Sequence, residues 1–276
     1  MMNIVKYKNA IRYAERVSAN DEDVEFMPVK SADRTLEVLE YLSAHGSGGL
    51  VTMSKDLGIP KSSLHSLLRT LEHRGWAESD PTRSFYRLGL NALITGASYV
   101  EQDMVVSRTS EVLDDLADAT GETVHLGRLE GGEVVYMAKR ESKHPLRMFS
   151  AIGRRLPAHA TALGKAMLAE LPDERIRAIL PETLAASTEY TITSSAALVD
   201  HLASVRQSGY AIDDQEATLG LRCFAVTLPF GHPAKDAISC SVPFARLTES
   251  REQEIVDLLL AAQRQLRNQY DSRRTG

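Results

Sequence analysis

The chain has 276 residues, of which 43% are hydrophobic and 25% are charged, and its formal net charge is −5. This composition is typical of a soluble globular protein with enough length for two domains, and no apolar run approaches the roughly 20 residues that span a bilayer. The two cysteines, Cys223 and Cys240, are too few for a disulfide framework and lack metal-finger spacing, so we expect a reduced, cytoplasmic protein without a metal or another cofactor.

The first 28 residues end in an acidic run and show no periodicity, so we expect a poorly ordered extension over residues 1–28. Charged residues interrupt its apolar positions, which predicts no secretory leader. From Ser31 onward apolar residues recur at helical spacing, and this serine is the expected N-cap of a first helix. The glycine-rich stretch 46–49 predicts a loop, after which Thr52 is the expected cap of a short second helix.

A third helix is predicted from about residue 60 to residue 74, because a glycine follows its last periodic position. Two short strands, at 76–79 and 85–88, then flank a turn and predict a β-hairpin. Three helices followed by a hairpin is the element order of a winged helix-turn-helix domain, which we place at residues 29–88.

Residues 89–106 predict a helix that links this domain to the remainder of the chain, residues 107–272. The remainder mixes strand pairs and helices, which predicts an α+β fold with an antiparallel sheet. The predicted strands cover 123–128, 133–139, 210–213, 222–228 and 236–242, and the predicted helices cover 160–171, 196–207 and 248–270.

The third helix has two chemically distinct faces. Its leucines form one apolar stripe, whereas the opposite face carries hydroxyl and cationic side chains without a carboxylate. A helix that enters the major groove needs such a face, because short polar groups reach base edges while cations contact phosphates. An ordinary exposed helix is the alternative, and the helix alone does not decide between the two.

The surroundings of this helix favour DNA binding, because a tight break precedes it and a hairpin follows it. Residues 55–87 also contain six basic and four acidic residues, a small positive excess in an acidic chain. We therefore predict double-stranded operator DNA as the partner. The residues expected near bases are Ser62, Ser63, His65 and Ser66, and those expected mainly on phosphates are Lys61, Arg69 and Arg83.

Seven stretches of the sequence, read in order, resemble the IclR-type transcription regulators. They are SADRTLEVL from Ser31, LGIPKSSLH from Leu57, LEHRGW from Leu71, YRLGL from Tyr86, LPAHATALGKA from Leu156, GYAIDDQE from Gly209 and GLRC from Gly220. The resemblance covers about residues 29–272. It implies a winged helix-turn-helix, a linker helix, a GAF-like domain that binds an effector, and homodimers or homotetramers on paired half-sites, with no membrane partner.

The second domain contains features that suit a small carboxylic acid. Ser239 and Ser241 alternate with apolar residues on one predicted strand, and the small residues of 159–166 begin a helix whose free amides would attract a carboxylate. The alternatives are a half-exposed sheet with its polar face in water, which spacing alone favours, and a helix whose small residues only permit close packing.

The resemblance implies which residues contact the effector. These residues are Met148, Leu156, Ala162, Leu163, Asp213, Cys223, Ser239 and Ser241. Ala162 and Leu163 replace smaller residues of some relatives, so the shape of the pocket is open. The sequence also leaves open whether the effector is a sugar acid, an aromatic acid or a keto acid, and whether the protein represses or activates.

An enzyme or a metal-dependent sensor acting through Cys223 and His159 is the alternative from a different functional class. The local signatures of cysteine nucleophiles are absent, and so are the glycine-rich loops that bind nucleotide phosphates. We therefore expect a regulator rather than an enzyme.

Overall fold

The computed structural model of the chain describes residues 27–146 and 150–272, and it divides into two compact units between Gln102 and Asp103. Residues 1–26, which make up most of the predicted extension, and the predicted effector contact Met148 lie outside the described residues. Within the described ranges, every helix is too short or too polar to cross a membrane.

The first unit contains three helices, a small sheet and a fourth helix. These elements are α1 (Lys30–His45), β1 (Gly48–Gly49), α2 (Leu50–Leu57), α3 (Lys61–His73), β2 (Ala77–Ser79), β3 (Phe85–Leu88) and α4 (Leu90–Gln102). The strands pair antiparallel in the order β1-β3-β2, so the predicted hairpin is present. Leu64, Leu68 and Leu71 of α3 are buried against α1 and α2, and burying each leucine stabilises the unit by about 2 kcal/mol. The unit is the predicted winged helix-turn-helix.

The loop predicted at residues 46–49 is partly wrong, because Gly48 and Gly49 pair with Tyr86 and Phe85 of β3. Glycine has a low intrinsic preference for strands, so pairing with β3 rather than local sequence forms β1. Gly48 also has no space for a side chain, since a Cβ there would lie 2.8 Å from the side chain of Met53.

The two N-caps predicted in this unit are wrong. Helix α1 begins at Lys30 after an extended Val29, and α2 begins at Leu50 after an extended Gly49. Ser31 and Thr52 therefore lie inside helices, where their hydroxyl groups cannot serve as caps. The chain turns into each helix before it reaches the residue with the best capping side chain.

The single linker helix predicted over 89–106 is divided in two. Helix α4 ends at Gln102, and α5 (Met104–Thr120) begins after Asp103. The Asp103 carboxylate accepts hydrogen bonds from the backbone amides of Val105 and Val106 at 2.9 and 3.1 Å. Aspartate is a favoured N-cap, so the break at this position is encoded locally.

The second unit contains a six-stranded sheet and five α-helices within the described residues. After α5 its elements are β4 (Thr123–Glu130), β5 (Glu133–Arg140), β6 (Arg155–Pro157), α6 (Ala162–Ala169), α7 (Asp173–Ile179), α8 (Ser195–Ser208), β7 (Ala211–Asp214), β8 (Leu221–Thr227), β9 (Asp236–Pro243) and α9 (Glu249–Ser272). The strand order is β6-β5-β4-β9-β8-β7, and every neighbouring pair is antiparallel. This sheet confirms the predicted α+β fold.

Helices cover both faces of this sheet. Leu113 of α5 and Leu259 of α9 belong to one buried cluster with Phe224 of β8. Met167 of α6 belongs to a second cluster, on the opposite face, with Ala225 of β8. All residues of β9 are buried, so the alternative of a half-exposed sheet with its polar face in water is wrong.

Candidate functional site

Helix α3 presents its hydroxyl and cationic side chains to solvent. Lys61, Ser62, His65, Ser66 and Arg69 are exposed, and Ser63 is half-buried. The hydroxyl group of Ser66 donates to the backbone carbonyl of Ser62 at 3.1 Å, so its oxygen lone pairs remain available as acceptors. The surface therefore combines hydrogen-bonding groups with positive charge, as a groove-binding helix requires.

The N-terminus of α3 is suited to an anion. Its N-cap is Pro60, no side chain of the described chain caps it, and its first turn holds no acidic residue. The unpaired amides at a helix N-terminus carry a partial positive charge and bind phosphate oxygens. Lys61 adds a full positive charge at the same end.

The hairpin turn is held by a carboxylate that the sequence analysis did not single out. Asp80 accepts hydrogen bonds from the backbone amides of Ser84 and Phe85 at 2.7 and 2.8 Å and from the Thr82 hydroxyl. The bond from Phe85 is the largest cause that holds the pKa of Asp80 below its usual value. Arg83 lies exposed at the tip with a positive φ of 53°, so the turn fixes its backbone direction.

Two of the arginines on α3 and the hairpin are free of acidic partners. Arg69 and Arg83 form no ion pair with any described residue, whereas Arg87 pairs with Glu78 at 2.8 Å. Glu72 on α3 accepts the hydroxyl hydrogen bond of Ser79. Arg69 and Arg83 thus keep their charge available, while the neighbouring acids Glu72 and Glu78 are engaged with Ser79 and Arg87.

The second unit contains a cavity of about 20 Å³, which has room for one or two water molecules. Seven of the eight predicted effector contacts line it, and Met148 is the one that lies outside the described residues. The seven are Leu156, Ala162, Leu163, Asp213, Cys223, Ser239 and Ser241. Residues from β6, α6, β7, β8 and β9 are therefore brought together at one place.

Five further residues line the cavity and were missed by the sequence analysis. They are Tyr136, Thr161, Ala217, Thr218 and Leu221. Tyr136 lies on a predicted strand, but the pairing of β4 with β5 skips Met137, because Leu126 pairs with Ala138 and Gly127 with Tyr136, and local sequence does not predict this shift. Ala217 and Thr218 lie in the loop after β7, where no periodicity indicates which side chains point inward.

Asp213 is buried on the wall of this cavity. Its Oδ1 accepts hydrogen bonds from the backbone amides of Glu216 and Ala217 at 2.7 and 3.2 Å. Burial raises the pKa of Asp213 to about 6, although both amides and the ammonium of Lys165 act in the opposite direction. The carboxylate therefore both holds the loop after β7 and lines the cavity.

The N-terminus of α6 forms another part of the wall. Thr161 caps the helix by accepting a hydrogen bond from the Gly164 amide at 3.0 Å, so the helix begins two residues later than predicted. A Cβ at Gly164 would lie 2.1 Å from the carbonyl oxygen of Ala158. Close packing of the backbone thus explains this glycine. This is what the alternative interpretation of the small residues predicted.

A buried ion pair joins α6 to the loop after β7. Lys165 is completely buried, and its ammonium contacts the carboxylate of Glu216, whose side chain is 7% exposed. Burial is the largest cause that raises the pKa of Glu216, and Lys165 opposes it. In the sequence, the sign of this buried pair is Lys165 itself, which stands among small and apolar residues of a helix that is buried in the structure.

The structure does not pair Cys223 with His159. The Cys223 thiol donates to the Ser241 hydroxyl at 3.3 Å, and burial raises its pKa, which keeps the sulfur protonated. His159 donates from Nε2 to the carbonyl oxygen of Ala185 at 2.9 Å. In the described part of the chain, no group of three or more His, Cys, Asp and Glu side chains is arranged to hold a metal ion.

Two family models match the sequence. The model described as the IclR helix-turn-helix domain matches residues 31–81, and the model described as bacterial transcriptional regulator IclR C-terminal matches residues 97–268. The HTH-type transcriptional regulator XynR of Escherichia coli (strain K12) is 36% identical over 237 residues, which cover 82% of this chain and 94% of XynR.

Solved structures have the same fold. A transcriptional regulator of this type from Alicyclobacillus acidocaldarius has a TM-score of 0.77 at 26% identity, covering 87% of this chain and 98% of the other. An IclR homolog from Microbacterium hydrocarbonoxydans, complexed with 4-hydroxybenzoate, has a TM-score of 0.71 at 19% identity, covering 86% and 99%. The matched families and XynR are described as regulators rather than enzymes, which decides against the enzymatic alternative.

Proposed function

The chain belongs to the IclR family of bacterial DNA-binding transcription regulators, and from this premise we propose that a small carboxylic acid controls its operator binding. In this proposal α3 and the hairpin bind the operator in the cytoplasm, and the acid occupies the cavity of the second unit. The observation that carries it is the pair of surfaces described above: an exposed helix face without carboxylates, and a small cavity whose wall includes hydroxyl groups and one carboxyl group.

Each residue of the proposed DNA interface has a role that follows from its chemistry. Ser62, Ser63, His65 and Ser66 are assigned to base edges, and Lys61, Arg69 and Arg83 to phosphates. Because the Ser66 hydroxyl hydrogen is engaged with the Ser62 carbonyl, we assign its oxygen as an acceptor for the amino group of adenine or cytosine. The uncapped N-terminus of α3 adds a further phosphate contact.

A titration of DNA from the protein's own upstream region tests this interface. Arg69→Ala should weaken binding to all sequences, because a phosphate contact is lost, whereas Ser66→Ala should change the preferred sequence. Arg177→Ala is the matched control, since it removes the same charge from an exposed position of α7 in the other unit. Equal affinities of the Arg69→Ala and Arg177→Ala variants for this DNA would contradict the assignment of α3 as the DNA-binding helix.

The cavity supports a small acid through its neutral hydrogen-bonding groups. The hydroxyls of Ser239 and Ser241 face the same space as the N-terminus of α6, while Leu156 and Leu163 supply apolar walls. The fold neighbour that binds 4-hydroxybenzoate supports this class of ligand. Since the cavity is only about 20 Å³ in volume, its wall must move outward when an acid larger than a few atoms binds.

Thermal unfolding with a panel of acids tests the effector. Pyruvate, D-gluconate and 4-hydroxybenzoate represent the keto, sugar and aromatic acids, and a bound acid raises the unfolding temperature by mass action. The variant Ser239→Ala/Ser241→Ala should lose this rise. A rise that is equal in wild type and variant would place the ligand elsewhere.

We also propose that paired copies of the chain bind paired half-sites, as homodimers or as tetramers. Binding of the acid would then change the spacing between the paired winged helices, with the helical segment 90–102 as the adjustable part. A ligand can shift this equilibrium only as far as it binds the two arrangements unequally. Light scattering of the free protein and of its DNA complex measures the number of copies in each.

A further inference from the structure

The wall of the cavity carries one charged side chain among the described residues, and that side chain is a carboxylate. Asp213 lies between the neutral hydroxyl, thiol and phenol groups of Ser239, Ser241, Cys223 and Tyr136. None of the wall residues in the described chain is Lys, Arg or His. Among the described wall residues, a carboxylate ligand that enters here therefore meets another carboxylate rather than a cation.

Among the described residues, the one cation that lowers the pKa of Asp213 is Lys165, and it already has an acidic partner. From the loop after β7, the amides of residues 216–217 donate to its Oδ1. From α6, the ammonium of Lys165 lies close enough to lower the pKa of Asp213, but it already pairs with the carboxylate of Glu216. From β8 and β5, Cys223 and Tyr136 contribute neutral groups, because burial raises the pKa of the thiol and of the phenol.

We propose that Asp213 and the carboxyl group of the effector share one proton, so that binding of the acid takes up a proton from solvent. The inference rests on the proposed function, since it describes how an acid fits the cavity. In the reaction, the ionised ligand, the ionised Asp213 and one proton combine into a complex with a single negative charge. Two carboxyl groups in contact behave in this way because their like charges do not both persist in a site shielded from water.

In the free protein, Asp213 takes up a proton easily near neutral pH. Burial places the pKa of Asp213 at about 6, so about one tenth of the molecules carry the proton at pH 7. The free energy needed to protonate Asp213 near neutral pH is therefore small. Ser239 and Ser241 line the same cavity, and their hydroxyl groups can donate to the oxygens that do not hold the shared proton.

If the proton is shared, the affinity for the acid decreases as pH rises. Above pH 6 the free Asp213 is ionised, and each further pH unit lowers the protonated fraction about tenfold. The affinity for the acid should therefore fall about tenfold per pH unit between pH 6.5 and pH 8. Pyruvate, D-gluconate and 4-hydroxybenzoate are themselves ionised over this range, so their own titration does not produce the slope.

Isothermal titration calorimetry of the full chain measures the proton directly. The acid from this panel that raises the unfolding temperature is titrated at pH 7.5 in phosphate and in Tris, whose ionisation enthalpies differ. The difference in observed heat should correspond to about one proton taken up per acid bound.

Two asparagine variants assign this proton to a residue. Asp213→Asn keeps an Oδ1 acceptor for the two amides but cannot take up a proton, so it should bind the acid without proton uptake and with a flat pH profile. Asp214→Asn removes the neighbouring carboxylate, which lies 3.7 Å from Arg222 and does not line the cavity. This control should keep the uptake and slope of the wild type.

These experiments distinguish failure of the shared proton from failure of the acid effector, on which the shared proton rests. If wild type binds the acid without proton uptake, or if Asp213→Asn keeps the uptake, the shared proton is wrong while the acid effector stands. A different outcome is that the acids of the panel do not bind but a neutral amide such as 4-hydroxybenzamide does. In that case an ionised Asp213 accepts a hydrogen bond from the amide group of the ligand. Both the acid effector and the shared proton then fail.

Discussion

At the scale of single residues, the buried carboxyl group of Asp213 lowers the stability of the free protein at neutral pH. Its pKa is raised by burial from 3.8 to about 6, so the folded state binds this proton more tightly than the unfolded chain. Stability therefore falls as pH rises from about 4 to about 6, and above that range the full penalty of about 3 kcal/mol applies.

The variant Asp213→Asn should remove this penalty. We expect its free energy of unfolding at pH 7.5 to exceed that of wild type by up to about 3 kcal/mol, with a difference that shrinks below pH 6. Urea denaturation at several pH values measures both quantities. A variant that is less stable than wild type at pH 7.5 would show that the carboxylate stabilises the loop more than burial opposes it.

Gly164 and Gly96 form a matched pair of helical glycines with opposite surroundings. At Gly164 a Cβ would lie 2.1 Å from a backbone oxygen, whereas nothing lies within 4 Å of a Cβ at Gly96 of α4. Gly164→Ala should therefore destabilise the second unit by about 1–3 kcal/mol through overpacking and weaken binding of the acid.

Gly96→Ala is the control for this substitution, because alanine is the better helix former and should stabilise α4 by up to about 1 kcal/mol. Thermal unfolding of the two variants should give shifts of opposite sign. Shifts of equal sign would mean that helix propensity, and not contact with the turn before α6, decides the effect.

At the scale of elements, the buried pair Lys165–Glu216 ties α6 to the loop after β7. Lys165→Met would leave the Glu216 carboxylate buried without its partner, which typically reduces stability by about 3–5 kcal/mol. The double variant Lys165→Met/Glu216→Gln removes both charges and should recover part of that loss. Urea denaturation of the wild type, Lys165→Met, Glu216→Gln and the double variant gives the coupling energy, and strictly additive losses would contradict the pairing.

The hairpin offers a test in which charge and geometry act in opposite directions. Asp80→Ala removes a negative charge beside the DNA surface, which by charge alone strengthens DNA binding. It also removes the acceptor that holds the amides of Ser84 and Phe85, so Arg83 loses its fixed direction. We expect the affinity for upstream DNA to fall.

Asp33→Ala is the comparison variant, because it removes an exposed carboxylate from α1 without touching the turn. Fluorescence anisotropy at one salt concentration compares the two variants with wild type. Tighter binding by Asp80→Ala would mean that the turn does not position Arg83 for DNA.

Local sequence patterns located the elements of the fold but not every boundary or pairing. Five of the six strands in the larger sheet and the apolar stripe of α3 followed from periodicity. Gly48–Gly49 and Arg155–Pro157 were missed as strands, since they are short and form only by pairing with β3 and β5. The break at Asp103 was also missed, although the sequence carried a good cap there.

The cavity was predictable to a different degree. The resemblance located seven of its residues, whereas spacing alone favoured a sheet face in water. Tyr136 and Thr218 were missed because their positions depend on strand register and on a loop conformation, which no local pattern encodes. The buried charge of Asp213 and its contacts with the loop after β7 became visible only in three dimensions.

At the scale of the whole molecule, the proposed function requires an acidic chain to bind DNA through a small positive surface. The net charge is −5, but the exposed charges of α3 and of the hairpin tip are Lys61, Arg69 and Arg83. Each phosphate contact contributes a slope of about −0.9 to the dependence of log affinity on log salt concentration. Arg69→Ala and Arg83→Ala should each make this slope about one unit shallower, whereas an unchanged slope would remove that arginine from the phosphate contacts.

Control of DNA binding by the acid is tested most directly by measuring the affinity for upstream DNA with and without a saturating acid. The acid used is the one from the panel that raises the unfolding temperature. In the wild type we predict a change of at least fivefold, a typical coupling between two sites. In Ser239→Ala/Ser241→Ala we predict unchanged affinity without the acid and no response to it. Identical affinities in the wild type with and without the bound acid would contradict control of DNA binding by the cavity.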